Sequence, residues 1–227
     1  PGDFSLSLDA TDDSMSVSSA LTYITENAAF SLSFWMNPSG YGSNGTYANV
    51  LGFKSDYDSK NFAIHLNNNT GGYQGLSFGI TNYATAGISA KYHTSGILGD
   101  SLLNKWSQVV ITYNGSGLAT IGNWKLYIDG SSTTIAGASG WYDSGTLENT
   151  IGNYRGYHWE GLIDELAFWD ATLSADDADA IYNSGAPNDL DLAASYDTDR
   201  TSNLIGWWRM GDGTEAGTGT TVYDMSD

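Results

Sequence analysis

Apolar and polar residues alternate along most of the chain, and this pattern restricts the possible folds more than any other feature. In residues 30–37, Phe30, Leu32, Phe34 and Met36 fall at every second position, so a β-strand would place them on one face. Similar runs, about a dozen in all, are separated by turn-forming pairs such as Asp129-Gly130, which is typical of a β-hairpin. So many strands bury their apolar faces best as two packed antiparallel sheets. The pattern therefore predicts an all-β sandwich.

One segment departs from the alternation and predicts a short helix. Ser174 precedes it and Asp177 follows three residues later, which is the spacing of a capping box. Asp176 also falls in the first turn, where a carboxylate interacts favourably with the helix dipole, and Gly185 provides a stop signal. The expected fold is thus two sheets with one short helix.

Charge and composition exclude several classes of function. The 227 residues include 8 Lys and Arg against 26 Asp and Glu, a net charge of −18, so the chain repels nucleic acid and anionic membrane surfaces. Cysteine is absent, which excludes disulfides, thiolate zinc sites and cysteine nucleophiles. No apolar run approaches the ~18 residues of a membrane span. Neither nucleic acid nor a membrane is therefore expected as a partner.

The texture of the sequence changes towards its end, and this change predicts a domain boundary. Residues 1–187 contain the alternating runs, residues 188–202 are polar and acidic like a linker, and residues 203–227 form a strand segment or begin a further module. Trp207 and Trp208 are adjacent, so a strand would point them to opposite faces. Because only one of them could enter the main core, the other is expected to meet a neighbouring domain or subunit. Both are therefore predicted interface residues.

Several stretches resemble one known superfamily. They are a first hairpin at residues 4–17, a hairpin formed by residues 106–113 and 124–130, and residues 151–182, where strands lead to a helix cap and a short helix. Together they are similar to the laminin G-like branch of the concanavalin A-like lectins and glucanases, and the last also resembles pentraxins. The resemblance covers residues 4–187 and implies a two-sheet jelly-roll sandwich with one concave face. It does not imply one function, because the superfamily includes lectins, hydrolases, adhesion modules and structural domains.

Catalysis would require a particular pair of carboxylates. Glycosidases of this superfamily need two of them projecting from one strand into the concave cleft. The nearest candidates are Glu160 and Asp164, but the alternation groups Asp164 with Leu166 and Phe168 towards the core, and places Glu165 in solvent. The chain is therefore predicted not to be an enzyme.

Imidazole chemistry has little support either. None of His65, His93 and His158 has a partner at metal-ligand spacing. His65 opposes the apolar residues Ile64 and Leu66 in the alternation, so it is expected to face solvent or a cleft. No histidine is therefore assigned a catalytic role.

One candidate calcium site is the loop that contains Asp56, Asp58 and Asn61. It lies between two predicted strands, in the place where pentraxins have an acidic calcium-binding loop, and calcium prefers carboxylate and amide oxygens. The resemblance implies a second set of acidic ligands just after Ile151-Gly152, yet residues 153–159 contain no acid. This candidate site therefore lacks its second half.

Asp164 is the strongest single candidate for a metal ligand. Laminin G-like modules place this strand beside the first hairpin, where Asp9, Asp12 and Asp13 lie. A buried carboxylate needs a cation or several hydrogen-bond donors. Asp164 is therefore expected either to bind Ca²⁺ together with Asp9 and Asp12, or to be an ordinary hydrogen-bonded aspartate.

Residues 153–159 carry aromatic and hydrogen-bonding side chains where pentraxins carry acids. Such a loop can stack on the face of a sugar and hydrogen-bond its hydroxyls. The candidate ligand-binding residues are those of this loop and of the preceding acidic loop: Tyr57, Tyr154, Arg155, Tyr157, His158 and Trp159. The alternative is that several of them pack the loop or meet a neighbouring subunit.

These observations favour a non-catalytic recognition module that binds a glycan or another surface component. The sequence around residues 183–190 and 206–213 is similar to the joins between modules in surface proteins of marine bacteria and phages. An extracellular, cell-surface or virion-surface location is therefore expected. The alternative is a structural assembly or decoration protein that contacts other protein chains, and a glycoside hydrolase is the least favoured function.

Overall fold

The computed structural model describes residues 5–17, 27–43, 45–54, 60–68, 75–82, 87–97, 99–137, 149–154, 156–210 and 222–226. These residues form two seven-stranded antiparallel sheets, a two-stranded hairpin and one α-helix, α1 (Ala175–Tyr182). The predicted all-β sandwich with one short helix is confirmed. No helix in the described part of the chain is long and apolar enough to cross a membrane.

The strands are numbered in chain order. They are β1 (Leu6–Asp9), β2 (Met15–Ser16), β3 (Phe30–Pro38), β4 (Tyr47–Lys54), β5 (Lys60–Asn67), β6 (Gly75–Asn82), β7 (Gly87–Thr94), β8 (Ser107–Tyr113), β9 (Trp124–Ile128), β10 (Ser131–Thr133), β11 (Ile135–Gly137), β12 (Thr150–Ile151), β13 (Asn153–Tyr154), β14 (Tyr157–His158), β15 (Glu160–Trp169) and β16 (Leu204–Trp208). The first sheet has the order β1-β15-β3-β8-β9-β10, with β16 also paired to β15. The second has the order β11-β7-β6-β5-β4-β12-β2, and β13 pairs with β14.

The main core lies between the two sheets. As the alternation predicts, Phe30, Leu32, Phe34 and Met36 all belong to it. Trp124 of β9 joins the sheets, because its ring lies 4.6 Å from that of Tyr113 in the first sheet and 5.6 Å from that of Phe78 in the second. Its indole N–H donates to the carbonyl of Leu118 at 2.9 Å, so its one polar group is satisfied inside the core.

A second apolar cluster covers the outer face of the first sheet. Ala167 and Trp169 of β15 pack there against Ile181 of α1, together with Leu190 and Tyr196 from the following segment. The helix begins with the predicted capping box, in which the Ser174 hydroxyl accepts from the amide of Asp177. Both faces of the first sheet are thus buried, the inner one by the second sheet and the outer one by the helix and the residues after it.

Residues 188–202 are not a linker between domains. The carboxylate of Asp177 accepts hydrogen bonds from the amide of Thr198 at 3.0 Å and from Nε of Arg200 at 3.2 Å, and these bonds tie the segment to the helix. Its apolar side chains enter the second cluster, as Leu190 and Tyr196 show. The segment is polar because only a few of its side chains face inwards.

The predicted boundary at residue 187 is also wrong for the last strand. Trp207 and Trp208 do point to opposite faces, but Trp208 enters the main core and Trp207 enters the second cluster, so both are buried within the chain. Neither is an interface residue, because the outer face of this sheet is covered rather than solvated. β16 is therefore an integral strand of the sandwich.

β1 and β16 share one edge of β15. β1 pairs with its first part, with Leu6 opposite Ile163, and β16 pairs with its second part, with Trp208 opposite Leu166. The two strands run in the same direction, so the end of β16 points towards the start of β1. The residues of β15 between these two pairings, Asp164 and Glu165, are not in regular register with either strand.

A β-bulge at this junction changes which face each residue of β15 occupies. Asp164 is opposite Trp35 and Ala167 is opposite Ser33, so Glu165 and Leu166 together oppose one residue of β3. Simple alternation, which groups Asp164 with Leu166 and places Glu165 in solvent, fails here. Asp164 lies on the outer face with Trp35, while Leu166 belongs to the core and Glu165 is buried.

Candidate functional site

The outer face of the second sheet carries a row of polar residues. In register across β4, β5, β6 and β7 lie Asn49, His65, Ser77 and His93. The adjacent row consists of small residues, Gly52, Ala63 and Gly79, and ends at Lys91 of β7. This face is therefore polar, unlike the inner face of the same strands.

These polar side chains are shielded from solvent. His65 is 3% exposed and Lys91 is 6% exposed, so the expectation that His65 faces solvent or an open cleft is wrong. Burial lowers the pKa of His65 to about 3, and the nearby Lys91 ammonium adds to this effect. Burial also lowers the pKa of Lys91 to about 8. At neutral pH, His65 is therefore neutral and Lys91 is mostly protonated.

An aromatic pair lies at one end of this polar face. The rings of Tyr47 and Tyr157 are 4.5 Å apart with an angle of 45° between their planes, and the ring of Tyr47 is 6.0 Å from that of His65. Both tyrosines are half-buried. Burial and the hydrogen bond with Tyr157 raise the pKa of Tyr47 to about 12. The Tyr47 hydroxyl therefore stays protonated at neutral pH and can donate and accept hydrogen bonds.

Residues 39–43 contact two further segments. They lie against the β13–β14 hairpin, where the Ser43 hydroxyl donates to the carbonyl of Gly156 at 3.1 Å. The Tyr41 hydroxyl donates to the carboxylate of Asp100, and the Tyr41 ring packs against the main core. Burial, together with Asp100, raises the pKa of Tyr41. We call the surface formed by Tyr47 and Tyr157 the aromatic rim.

Gly42 allows residues 39–43 to pack closely against the β13–β14 hairpin. Its φ of +68° is in the left-handed region, and a Cβ atom on it would lie 1.9 Å from the carbonyl oxygen of His158. A side chain at this position would therefore push these residues away from the hairpin.

The predicted ligand-binding residues lie in different places. Tyr157 lies at the aromatic rim, His158 is partly exposed in the same hairpin, and the backbone of Tyr154 pairs with Tyr157. Trp159 is fully buried in the main core, so it cannot stack on a sugar. Tyr57 and Arg155 lie outside the described residues.

Sequence reasoning missed Tyr41, Tyr47 and Asp100. For Tyr47 a signal existed. It lies two positions before Asn49 on the same strand, so alternation places both side chains on the outer face. For Tyr41 and Asp100, which lie 59 positions apart in the chain, the sequence holds no such signal.

The predicted metal ligands are only partly brought together. The predicted first hairpin is wrong, because β1 pairs with β15 in the first sheet and β2 pairs with β12 in the second. Oxygens of Asp9, Asp12 and Asp13 lie within 4.8 Å of one another in the exposed connection between these two strands. Asp164 is not part of this group, because Asp9 pairs with Glu160, four residues away along β15 or roughly 13 Å.

Asp164 and Asn61 are both buried, and the remaining candidates cannot be placed. An oxygen of Asp164 accepts from the amide of Glu165 at 2.9 Å. The residue is fully buried on the outer face of the first sheet, which the second apolar cluster covers. Asn61 is buried on the outer face of the second sheet. Asp56 and Asp58 lie outside the described residues. Because Asp164 is inaccessible, Glu160 and Asp164 cannot act as the two carboxylates of a glycosidase.

Solved structures with a similar fold include several that bind carbohydrate. A protein from Bacteroides ovatus, described provisionally as carbohydrate binding, matches 99% of this chain at 14% identity with a TM-score of 0.58. The chain spans 54% of the length of that protein. The CBM40 of the Ruminococcus gnavus IT-sialidase, bound to α2,3-sialyllactose, matches 79% of this chain and 97% of its own at 12% identity, with a TM-score of 0.48.

A pentraxin is also among the solved structures to which the chain is similar. The heptameric SAP-like pentraxin from Limulus polyphemus matches 68% of this chain and 71% of its own at 14% identity, with a TM-score of 0.42. No curated protein sequence matches this chain significantly. The family model Laminin_G_3, described as concanavalin A-like lectin/glucanases superfamily, matches residues 9–179, which is most of the chain, and the protein therefore belongs to this family.

Proposed function

We propose that this protein is a non-catalytic carbohydrate-binding module whose ligand is held at the aromatic rim. The observation that supports this most directly is the half-buried pair of Tyr47 and Tyr157. Tyrosine rings present an apolar surface to the C–H face of a sugar, while their hydroxyls reach its hydroxyl groups. A site that combines such rings with a few polar groups is typical of small-ligand recognition.

A polar side chain next to the pair is held in one orientation. The amide of Asn67, opposite Tyr47 in the register, donates to the Ser77 hydroxyl at 2.8 Å. The rim therefore combines two aromatic rings with polar groups in fixed positions. The similar Bacteroides ovatus protein, described provisionally as carbohydrate binding, is in keeping with the same proposal.

We place this binding outside the cell, on a cell surface or on a virion. The acidic surface supports it, since a net charge of −18 keeps the module soluble and discourages association with nucleic acid. The alternative function is assembly through aromatic loops that contact other protein chains. It loses the support of Trp207 and Trp208, which are both buried within the chain.

Replacement of Tyr157 by alanine tests the proposal. We expect Tyr157→Ala to weaken binding of the best ligand on a glycan array by about tenfold or more, because one stacked aromatic contact is lost. Titration calorimetry with that ligand would measure the effect. The matched control is Tyr223→Ala, which removes a tyrosine that is 48% exposed in the C-terminal segment and should bind normally. Equal binding by Tyr157→Ala and the unmodified protein would contradict the assignment of the rim.

A further inference from the structure

We infer that the aromatic rim recognises the end of a glycan chain, and not an internal stretch of polysaccharide. This inference depends on the proposed function and adds to it the class of ligand. It follows from three properties of the described residues: the buried sheet face, the angle between the two tyrosine rings, and the closed inner end of the rim.

The outer face of the second sheet offers no platform for a long chain. Its central residues would have to be exposed to contact successive sugars, yet Asn61 and Ala63 are each 1% exposed and Ser77 is 2% exposed. Burial also extends to His65 and Lys91. An extended polysaccharide therefore finds no accessible groove across β4, β5, β6 and β7.

The two rings of the rim form a corner. Successive sugars along a chain stack on aromatic rings that are separated and lie in one plane. Tyr47 and Tyr157 are instead in contact, at 4.5 Å between ring centres, and their planes meet at 45°. One sugar can rest against such a corner, but the next one in a straight chain would leave it.

Protein atoms close the rim on its inner side. Beyond Tyr47 lie His65, whose ring is 6.0 Å away, and Asn67, and both are buried. Next to Asn67 lies the turn at Gly99–Leu102, since a Cβ atom on Gly99 would be 2.1 Å from the carbonyl oxygen of Asn67. A sugar that enters the corner can therefore continue in one direction only, towards solvent, as the last unit of a chain does.

Two measurements test this inference. The probes are xylo-, cello-, arabino- and manno-oligosaccharides, from the disaccharide to the hexasaccharide, together with their parent polysaccharides. In titration calorimetry with the series that binds, we expect the Kd to change by less than about tenfold from the shortest to the longest member. Partial hydrolysis of the parent polysaccharide should then raise the binding capacity per unit mass, because it creates new chain ends.

The outcomes separate this inference from the proposed function. An affinity that rises more than about tenfold with length, with a capacity unaffected by hydrolysis, would overturn end recognition while leaving carbohydrate binding at the rim intact. A Tyr157→Ala variant that loses binding while Tyr223→Ala keeps it would locate the interaction in either case. No binding to any probe or array glycan would overturn the proposed function and this inference with it.

Discussion

At the scale of single residues, the side chains that depart from the sequence-based expectation are polar groups in buried positions. His65 was assigned to the outer face by alternation, and it lies there, but alternation reports only the face and not whether that face is covered. Glu165 was assigned to solvent, yet its carboxylate accepts from the Trp207 indole N–H at 2.6 Å and from Nε of Arg209 at 3.2 Å. Both donors are more than 40 residues away in the chain, so no local pattern predicts them.

The buried His65 predicts how stability depends on pH. Its pKa is about 3 in the folded protein and close to 6.5 when unfolded, so the unfolded chain binds the proton more readily between these values. Stability should therefore fall as the pH decreases from 6.5 towards 3, by up to about 1.4 kcal/mol per pH unit from this group. His65→Gln should flatten this dependence between pH 6.5 and 4.5, as measured by urea unfolding. An unchanged slope in that variant would show that other groups cause the loss.

At the scale of elements, the segments with local signals are well predicted and the segments held by distant contacts are not. The face of β3 and the capping box of α1 both follow from spacing within a few residues. The register of β15 does not, because a bulge inserts one residue where the partner strand changes from β1 to β16. The aromatic rim likewise assembles from β4 and the β13–β14 hairpin, which are separate in the chain, so only its hairpin residue could be predicted.

The hydrogen bonds that Asp177 accepts from Thr198 and Arg200 give a prediction at this scale. Burial alone would raise the pKa of Asp177, but hydrogen bonds from Thr198, Ser174 and Arg200 outweigh burial and lower it. Its contribution is thus present above about pH 3.8 and is lost as the pH falls below that value. Asp177→Asn should reduce the free energy of unfolding by about 1–3 kcal/mol, because an amide group replaces one acceptor oxygen.

Asp176→Asn is the matched control for this measurement, since Asp176 is an exposed acid in the same helical turn. It should change the free energy of unfolding in denaturant by less than about 0.5 kcal/mol. If the two substitutions lowered the free energy of unfolding equally, the charge of the helix, and not the hydrogen bonds to Asp177, would be what stabilises residues 188–202.

The β1–β2 connection carries the prediction about calcium. Its three mutually close carboxylates repel one another, so Ca²⁺ should raise the melting temperature of metal-free protein, by an amount that corresponds to ~2.7 kcal/mol at one hundred times its Kd. Asp12→Asn should weaken this response, and Asp176→Asn should not. A melting curve that is the same with calcium and with chelator would rule out calcium binding by this connection.

At the scale of the whole molecule, the described residues form one cooperative sandwich. The change of composition after residue 187 suggested a separate segment, but composition does not report which few side chains of a polar stretch are anchored. Here Leu190, Tyr196 and Trp207 complete the cluster over the first sheet, and Trp208 completes the main core. Fold class could be predicted because alternation repeats in every strand, whereas domain extent depends on these single contacts.

Truncation tests whether β16 is an integral part of the sandwich. Protein that ends before Leu204 loses β16, which exposes Phe168 and Trp169 of β15 along the vacated edge. We expect it to lose cooperative unfolding and its near-ultraviolet circular dichroism. A truncated protein that still unfolds cooperatively with an unchanged midpoint would restore the boundary at residue 187.

The shared edge of β15 has a consequence for the connectivity of the fold. Because β16 ends opposite Leu166 and β1 begins opposite Ile163, with both strands running the same way, the two behave as one edge strand that has been cut once. A peptide that joins the residues after β16 to β1 would therefore yield a circular permutant, with new termini opened in an exposed turn such as residues 119–122. The same geometry allows the whole module to be inserted into a loop of another protein through two neighbouring attachment points.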